Sequence, residues 1–480
     1  MPDSIFKTTG TNLKDVLASH DLGEILYTSI DVAKYNHSAM VVNFFGDVII
    51  PKFDFPYNDH GINFLKKKMQ IAQKQTQATK LFLGLESTGH YHENLVASLT
   101  ASGYDVQVIR PIDSGPAPGC DRGNERDNVH AKTDAIDLAA IAKVIISNKG
   151  TRSHMPDTIY YNLQRASRTH RQLTWQETRT KNIITFVLDK TFTGLWNPKD
   201  SIFSDKWGKA SLLFVENYST PQQATRLGVK RLADFFRKHD TKLGMDTAKK
   251  IIQLAKIAPA RPLEVMESDI KAIKVHIQVL RTLTSAILEQ KKQMVKFLVQ
   301  TPGTYLLSVP GIGVVYASDF TAEVEDVHRF AHAKQIISLA GTAPRKHQSG
   351  EVDKTNLSTS HKGKNPLRVT VNQIALSLNS HCPEYHSYYS RKHFQYKDAP
   401  GKARTATANK FIKLAFAIMK NETLYYPRTG NPLMTHEEYY QGIWDKMKPK
   451  LTPYLCDDIP QDNYLTRIQH ELKEKYGIKT

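Results

Sequence analysis

"EILYTSIDVAKYNHSAMVVNFFGDVIIP", residues 24–51, decides the reading of the first third of the chain. Up to Asp31 it is dense in β-branched and aromatic residues, the composition of a strand. "SAMVVNFFGDVIIP" (38–51) reads as two further strands turning at Gly46-Asp47, a hairpin signal. Downstream, "INFLKKKMQIAQKQ" has helical spacing, and "KLFLGLE" is a short apolar strand ending at Glu86. "HENLVASLTASG" is a helix stopped by Gly103, and "YDVQVIRP" a strand closed by Pro111. A loop rich in Gly, Pro and Asp (113–127) leads to a helix in "KTDAIDLAAIAKVI" (132–145). The order β-β-β-α-β-α-β-α predicts an α/β layered domain over 23–150, behind a flexible lead-in at 1–22.

Four carboxylates stand out within that order. Asp134 and Asp137, three apart on a helix, share one face. Two such charges repel unless a cation sits between them. Asp31 and Glu86 each end a strand, where sites form in sheets of this kind. Together the four suit a hard divalent cation such as Mg²⁺, one or two ions. Read singly, Asp31 also suits a turn, Glu86 a helix-side cap, and Thr133 or Asp134 an N-cap.

The rest of the chain reads as mostly helical. Residues 151–300 form a helical linker with an insertion: a helix at 158–190 carries Arg165, Arg168, Arg171, Arg179 and Lys181, and 191–260 is mixed. From 263 to 300, Ile273, Ile277, Leu280, Ile287, Met294 and Leu298 recur at spacings of three, four and seven. That is an amphipathic helix of coiled-coil length, either a dimer seam or a helix packed on its own domain; Thr284 and Lys291 interrupt it. Residues 301–425 form a second unit, mainly α, and 426–480 a polar extension rich in Tyr and Lys.

Of the 480 residues, 65 are Lys or Arg and 47 Asp or Glu, a formal charge of +18. That excess favours polyanionic partners, nucleic acid first. Cys120, Cys382 and Cys456 lie far apart, arguing against a zinc ribbon or a disulfide framework. The start carries an early Asp and no apolar core, so it is not read as a signal peptide, and no apolar run approaches a membrane span. A cytoplasmic, nucleoid-associated protein with no membrane partner is expected.

"YTSIDVAKYNHSAMVVNFFGDVI", "GLESTGHYHENLVASLTASGYDVQVIRP" and "AKTDAIDLAAIAKVI" resemble the RuvC-like, RNase H-fold domain of DEDD transposases of insertion sequence family 110. "LLSVPGIGVVYASDFTAEVEDVHRFAHAKQIISLAGTAPRKHQSG" followed by "SHKGKNPLRVTVNQIA" resembles that family's C-terminal transposase domain. The resemblance covers about 25–190 and 262–425. It implies that Asp31, Glu86, Asp134 and Asp137 are a Mg²⁺-binding catalytic tetrad and that Ser349 of "HQSG" is the catalytic serine. The implied reaction is cleavage and exchange of DNA strands through a covalent phosphoserine intermediate. A structured bridge RNA pairing with target and donor DNA would guide it, in a homo-oligomer, dimer or tetramer, whose composite site draws on different subunits. Without the resemblance Ser349 reads as a loop serine. The chain departs from the family by extra length near 190–260 and after 426, and by Pro366 in "SHKGKNPLR".

Nucleic-acid contacts are expected at several places. "PGIG" (310–313), with Gly311 and Gly313, resembles a helix-hairpin-helix turn where N–H groups approach a phosphate; a plain helix-helix turn has the same look. Arg345, Lys346, Lys354, Lys362, Lys364 and Arg368 form a basic loop around Ser349, and Arg165, Arg168 and Arg171 a basic helix face. "HSYYSRKHFQYK" (386–397) interleaves aromatic and basic residues, as a stacking surface or a plain surface helix would. Other functions remain open to this sequence: an unguided invertase-like recombinase, a nuclease or junction resolvase using water, or a non-catalytic nucleic-acid-binding protein with structural carboxylates.

Overall fold

The computed structural model describes residues 22–87, 89–109, 134–147, 157–241, 243–344, 347–349, 352–354, 359, 363–397, 399–427 and 434–478. The chain forms two compact units, Met1–Met155 and Pro156–Thr480.

The first unit is built on a five-stranded mixed sheet. Its strands are β1 (Ile25–Asp31), β2 (Asn36–Asn43), β3 (Val48–Pro56), β4 (Lys80–Glu86) and β5 (Asp105–Ile109), in the spatial order β3-β2-β1-β4-β5. The first three make an antiparallel meander, and β4 and β5 add in parallel beside β1. The turn after β2 closes on Gly46, whose φ of +91° a side chain would resist. The parallel steps need crossovers, supplied by α1 (Asp59–Thr76) and α2 (His92–Ala101). Side-chain alternation splits the sheet into two faces. Leu26, Ile30, Ala39, Val41, Leu83 and Leu85 join the core that takes in Leu65 and Met69 of α1 and Leu95 and Leu99 of α2. Ile25, Tyr27, Met40, Val42 and Phe82 face α3 (Asp134–Ile146), packing with Leu138, Ile141 and Ile145. Gly84 lets α3 lie close: a Cβ there would meet Ile145 Cδ1 at 2.2 Å.

The second unit is mostly helical. Two long helices, α4 (Thr158–Thr191) and α8 (Leu263–Leu298), pack along each other. The apolar row expected on 263–300 is buried within the chain: Ile273, Ile277 and Leu280 share a core with Ile184, Val187 and Leu188, Met294 and Leu298 join the core holding Leu163 and Ala166, and Ile287 between them is buried as well. The chain's own α4 thus fills these positions. Between the two helices, α5 (Lys209–Asn217), α6 (Pro221–Lys238) and α7 (Met245–Ile257) form a small helical insertion around Phe192, Phe214, Phe236 and Ile251.

Beyond α8 come α9 (Val314–Val324), α10 (Ala333–Ala340), a short hairpin of β6 (His347–Ser349) and β7 (Val352–Lys354), then α11 (Asn365–His381), α12 (Pro383–Gln395) and α13 (Pro400–Asn421). Pro366 sits in the first turn of α11, where its missing N–H costs nothing. The extension forms α14 (His436–Leu451) and α15 (Tyr464–Tyr476). Their Ile443, Trp444, Met447, Leu451, Ile468 and Leu472 share one core with Phe320, Ile374 and Phe411, so the tail is an integral part of this unit. Among the described residues, no helix is long and apolar enough to cross a membrane.

Candidate active site

The acidic site is assembled by strand register. Ile30 of β1 lies opposite Leu85 of the parallel β4, so the next residues, Asp31 and Glu86, end neighbouring strands side by side. Alternation puts Asp31 on the face of Ile25 and Tyr27, and Glu86 on the face of Phe82 and Gly84; both are the face that α3 covers. Asp134 and Asp137 lie in the first turn of α3. Asp137 is buried, 9% exposed, while Asp134 remains open to solvent. A helix N-terminus favours such charges by tenths of a kcal/mol each.

Sequence reasoning missed three residues here. Asp31 pairs across β2 with Ser38, and Ser38 with Asp54 of β3, so a fifth carboxylate joins the same face. Ser38 Oγ donates to Asp54 Oδ1 at 2.6 Å. Lys52 Nζ donates to Asp134 Oδ2 at 2.6 Å and lies 3.8 Å from Asp54. Its ammonium is held above its ordinary pKa by the hydrogen bond to Asp134, against an opposing desolvation, with help from the charges of Asp54, Asp134 and Asp31. The signal was available: in "IIPKFDFP", Lys52 and Asp54 alternate with Phe53 and Phe55, placing the polar pair opposite the apolar one.

These residues define a concentration of negative charge that draws a cation. An ammonium reaching in from β3 already answers it, which is the direct test of fit: an all-oxygen donor set at a cation-attracting point suits a hard divalent ion. As placed, no group of three or more His, Cys, Asp or Glu among the described residues closes to metal-ligating distance.

The strand end is itself braced. His37 is fully buried against Phe55 and Tyr57, ring centroids 5.2 and 4.6 Å away. Its Nδ1 accepts from the Ala33 N–H at 3.2 Å, two residues past Asp31. Burial holds the His37 imidazole below its ordinary pKa.

In the second unit, Ser349 closes the β6–β7 hairpin, paired with Val352, and Lys354 pairs with His347 at the other end. Arg345, Lys346, Lys362 and Thr133 lie outside the described residues. At the start of α11, Gly363 packs against α10, where a Cβ would come within 2.4 Å of the Leu339 carbonyl oxygen, and the Lys364 N–H donates to that same oxygen at 2.7 Å.

Three cations expected to face nucleic acid are engaged inside the protein. Arg168 makes a two-pronged pair with buried Glu323 at 3.0 and 3.1 Å. Arg171 pairs with buried Asp319 at 3.0 Å, which also accepts from Ser167 Oγ. Lys364 Nζ reaches Glu325 at 2.7 Å and the Glu323 carbonyl at 3.0 Å. These pairs tie α4 and the start of α11 to α9. Arg165 instead lies over the Tyr161 ring, 5.0 Å from its centroid, and Arg368 donates to Asn365 at 2.8 Å.

The "PGIG" turn joins the end of a short 3-10 segment to α9. Gly311 has a φ of +86° and packs against α11, its carbonyl accepting from Ser377 Oγ at 2.7 Å. Gly313 caps α9. A cleft of 310 Å³ opens over the turn, lined also by Lys291, Tyr316, Lys450 and Tyr454. Lys450, from the extension, donates to the Leu307 and Ile312 carbonyls at 3.0 and 2.7 Å, and burial lowers its pKa to about 8.

Comparison with known proteins agrees with these two blocks. Residues 28–193 match a DEDD-type family model described as a transposase, and residues 303–390 one described as the transposase IS116/IS110/IS902 family. An insertion element IS900 protein of Mycobacterium paratuberculosis is 24% identical over 70% of this chain and 82% of its own length. An insertion element IS116 protein of Streptomyces clavuligerus is 22% identical over 68% and 77% respectively. The transposase for insertion sequence IS1111A of Coxiella burnetii is 28% identical over 25% of the chain. The protein is therefore a transposase, an enzyme that cuts and rejoins DNA. Within that class, the chain belongs to the IS110 family. A DEDD domain also points to dependence on a divalent metal.

Proposed function

We propose that this transposase is an RNA-guided DNA recombinase whose N-terminal unit has an RNase H-like, RuvC-type fold. Asp31, Glu86, Asp134 and Asp137 would hold Mg²⁺, and Ser349 would be the nucleophile. The observation that carries the reading is that Asp31 and Glu86 end the neighbouring parallel strands β1 and β4, on the sheet face covered by the helix that bears Asp134 and Asp137.

Ser349 Oγ would attack a backbone phosphorus, forming a serine–phosphate ester as the bond to one flanking deoxyribose oxygen breaks and that oxygen leaves as a hydroxyl. One ester replaces another, so the intermediate keeps the energy needed for rejoining. A serine hydroxyl is a weak nucleophile and needs activation; a divalent ion held by the tetrad would supply it by stabilising the alkoxide and the charge on the phosphate. The four carboxylates would hold that ion. Lys52 would give up Asp134 when the ion enters and turn toward Asp54, its second carboxylate.

Guidance by a bridge RNA and assembly as a dimer or tetramer are the remaining parts, supported by the family resemblance and the +18 charge. Sequencing the RNA that copurifies with the chain tests guidance. One structured species with two segments complementary to donor and target supports it; cleavage at a fixed site by RNA-free protein would identify an unguided recombinase.

A further inference from the structure

The helical insertion lies between the two matched segments, and its basic face is used by nothing described so far. Residues 226–256 hold nine Lys or Arg against three Asp, a third of the whole chain's net charge in 31 residues. α6 breaks at Gly228 (φ 75°, ψ 168°), so its second segment starts afresh directly before Lys230 and Arg231. That segment buries Leu232, Ala233 and Phe236; α7, packed against α6, buries Ala248, Ile251, Ile252 and Ala255. The cations are left outside. Arg226, Lys230, Arg231, Lys238, Lys250 and Lys256 are all exposed, and none is in an ion pair among the described residues. Among the described residues, Arg237 and Lys249 have only loose exposed partners, at 3.5 and 3.8 Å, pairs worth little in water.

The cations recur with a period. Lys230-Arg231 and Arg237-Lys238 are two turns apart on α6, about 10 Å by helical rise, and Lys249-Lys250 and Lys256 repeat that interval on α7. Two rows of regularly spaced positive charge match a ligand with regularly spaced negative charge, the phosphate backbone of a nucleic-acid duplex. A lipid surface fits less well, since membrane-lying helices expose an apolar face, and here those faces are spent on the insertion's core.

We propose that the α6–α7 hairpin is an accessory site that grips the phosphate backbone of double-stranded nucleic acid without reading sequence. This holds whether or not the acidic site cuts DNA, because it concerns binding alone. Duplex DNA and structured RNA offer the same chemistry, and the test separates them.

The full-length chain is titrated in EDTA, so that no strand is cut, with a duplex DNA and with a folded RNA of matched length across a salt series. Lys230→Gln/Arg231→Gln/Lys250→Gln is compared with wild type, and Lys249→Gln/Lys256→Gln serves as a second set on α7. For whichever polymer occupies the site, the triple variant is expected to bind roughly tenfold or more weakly at low salt, with a salt slope shallower by about two to three. These side chains are exposed, so melting temperatures should match wild type. Unchanged affinity and slope for both polymers in both variants would overturn the proposal.

Discussion

At the scale of single residues, the acidic face should separate activity from stability. Asp134→Asn and Glu86→Gln remove charge from a crowded site and disturb no core packing. Each is expected to lower the rate of DNA cleavage on the order of 100-fold or more, as loss of an ion's direct ligand should cost at least what loss of its supporting shell does. Cleavage kinetics beside thermal melts check this; a matching loss of stability would make these carboxylates structural. His37 gives a pH prediction. Its folded pKa is lowered, so below the ordinary value of 6.5 the unfolded chain binds the proton first and stability falls with pH. A protonated Nδ1 also cannot accept from Ala33. Wild type should therefore lose melting temperature between pH 6.5 and 5 more steeply than His37→Gln. Asp31 and Glu86 were legible in the sequence because each ends an unmistakable strand. Lys52 and Asp54 were not singled out, because a Lys and an Asp on a half-exposed strand look like ordinary surface until register sets them beside Asp31. Arg168 and Arg171 show the opposite difficulty. The sequence placed them along a helix, but only packing shows that they meet Asp319 and Glu323.

At the scale of elements, the clearest strain test is Gly363. A methyl there meets backbone atoms of Leu339 and Gly341 at 2.4 and 2.6 Å, and backbone cannot swing aside. Gly363→Ala should cost about 1–3 kcal/mol, read by denaturant melts. The join between α4 and α9 adds buried ion pairs to a shared apolar core. Glu323→Ala leaves Arg168 without its partner; since that guanidinium is itself partly exposed, a cost of about 2 kcal/mol is expected rather than the full value for a sealed pair. Lys450 links the extension to the glycine turn. Its folded pKa near 8, against 10.5 unfolded, means the unfolded chain holds more protons between those values, so this lysine's penalty is relieved as pH rises through that window. Lys450→Met should flatten that rise. It should also destabilise the protein at pH 7, because two carbonyls lose their donor. The long helices were readable from their periods. The insertion was not: it is three short helices, one broken at Gly228, with a core of scattered aromatic residues that no single period describes.

At the scale of the whole molecule, the first unit followed from its pattern almost strand by strand, since a meander feeding two parallel strands leaves few ways to order a sheet. The tail did not. Its apolar residues are spaced among Tyr and Lys, and they become a core only against Tyr305, Leu306, Phe320, Ile374 and Phe411 from earlier parts of this unit. Chemistry is divided along the same lines. Carboxylates that suit a metal belong to the first unit, and the serine, the glycine turn and the basic loop belong to the second. The central claim is that both are needed for one covalent step. Incubating the protein with Mg²⁺, end-labelled DNA and its copurified RNA, then mapping any protein-bound label by peptide sequencing, tests it most directly. The account predicts a DNA adduct on the peptide containing Ser349, absent from Ser349→Ala and from Asp134→Asn. Cleavage that continues in Ser349→Ala without any adduct, or an adduct formed undiminished by Asp134→Asn, would contradict it.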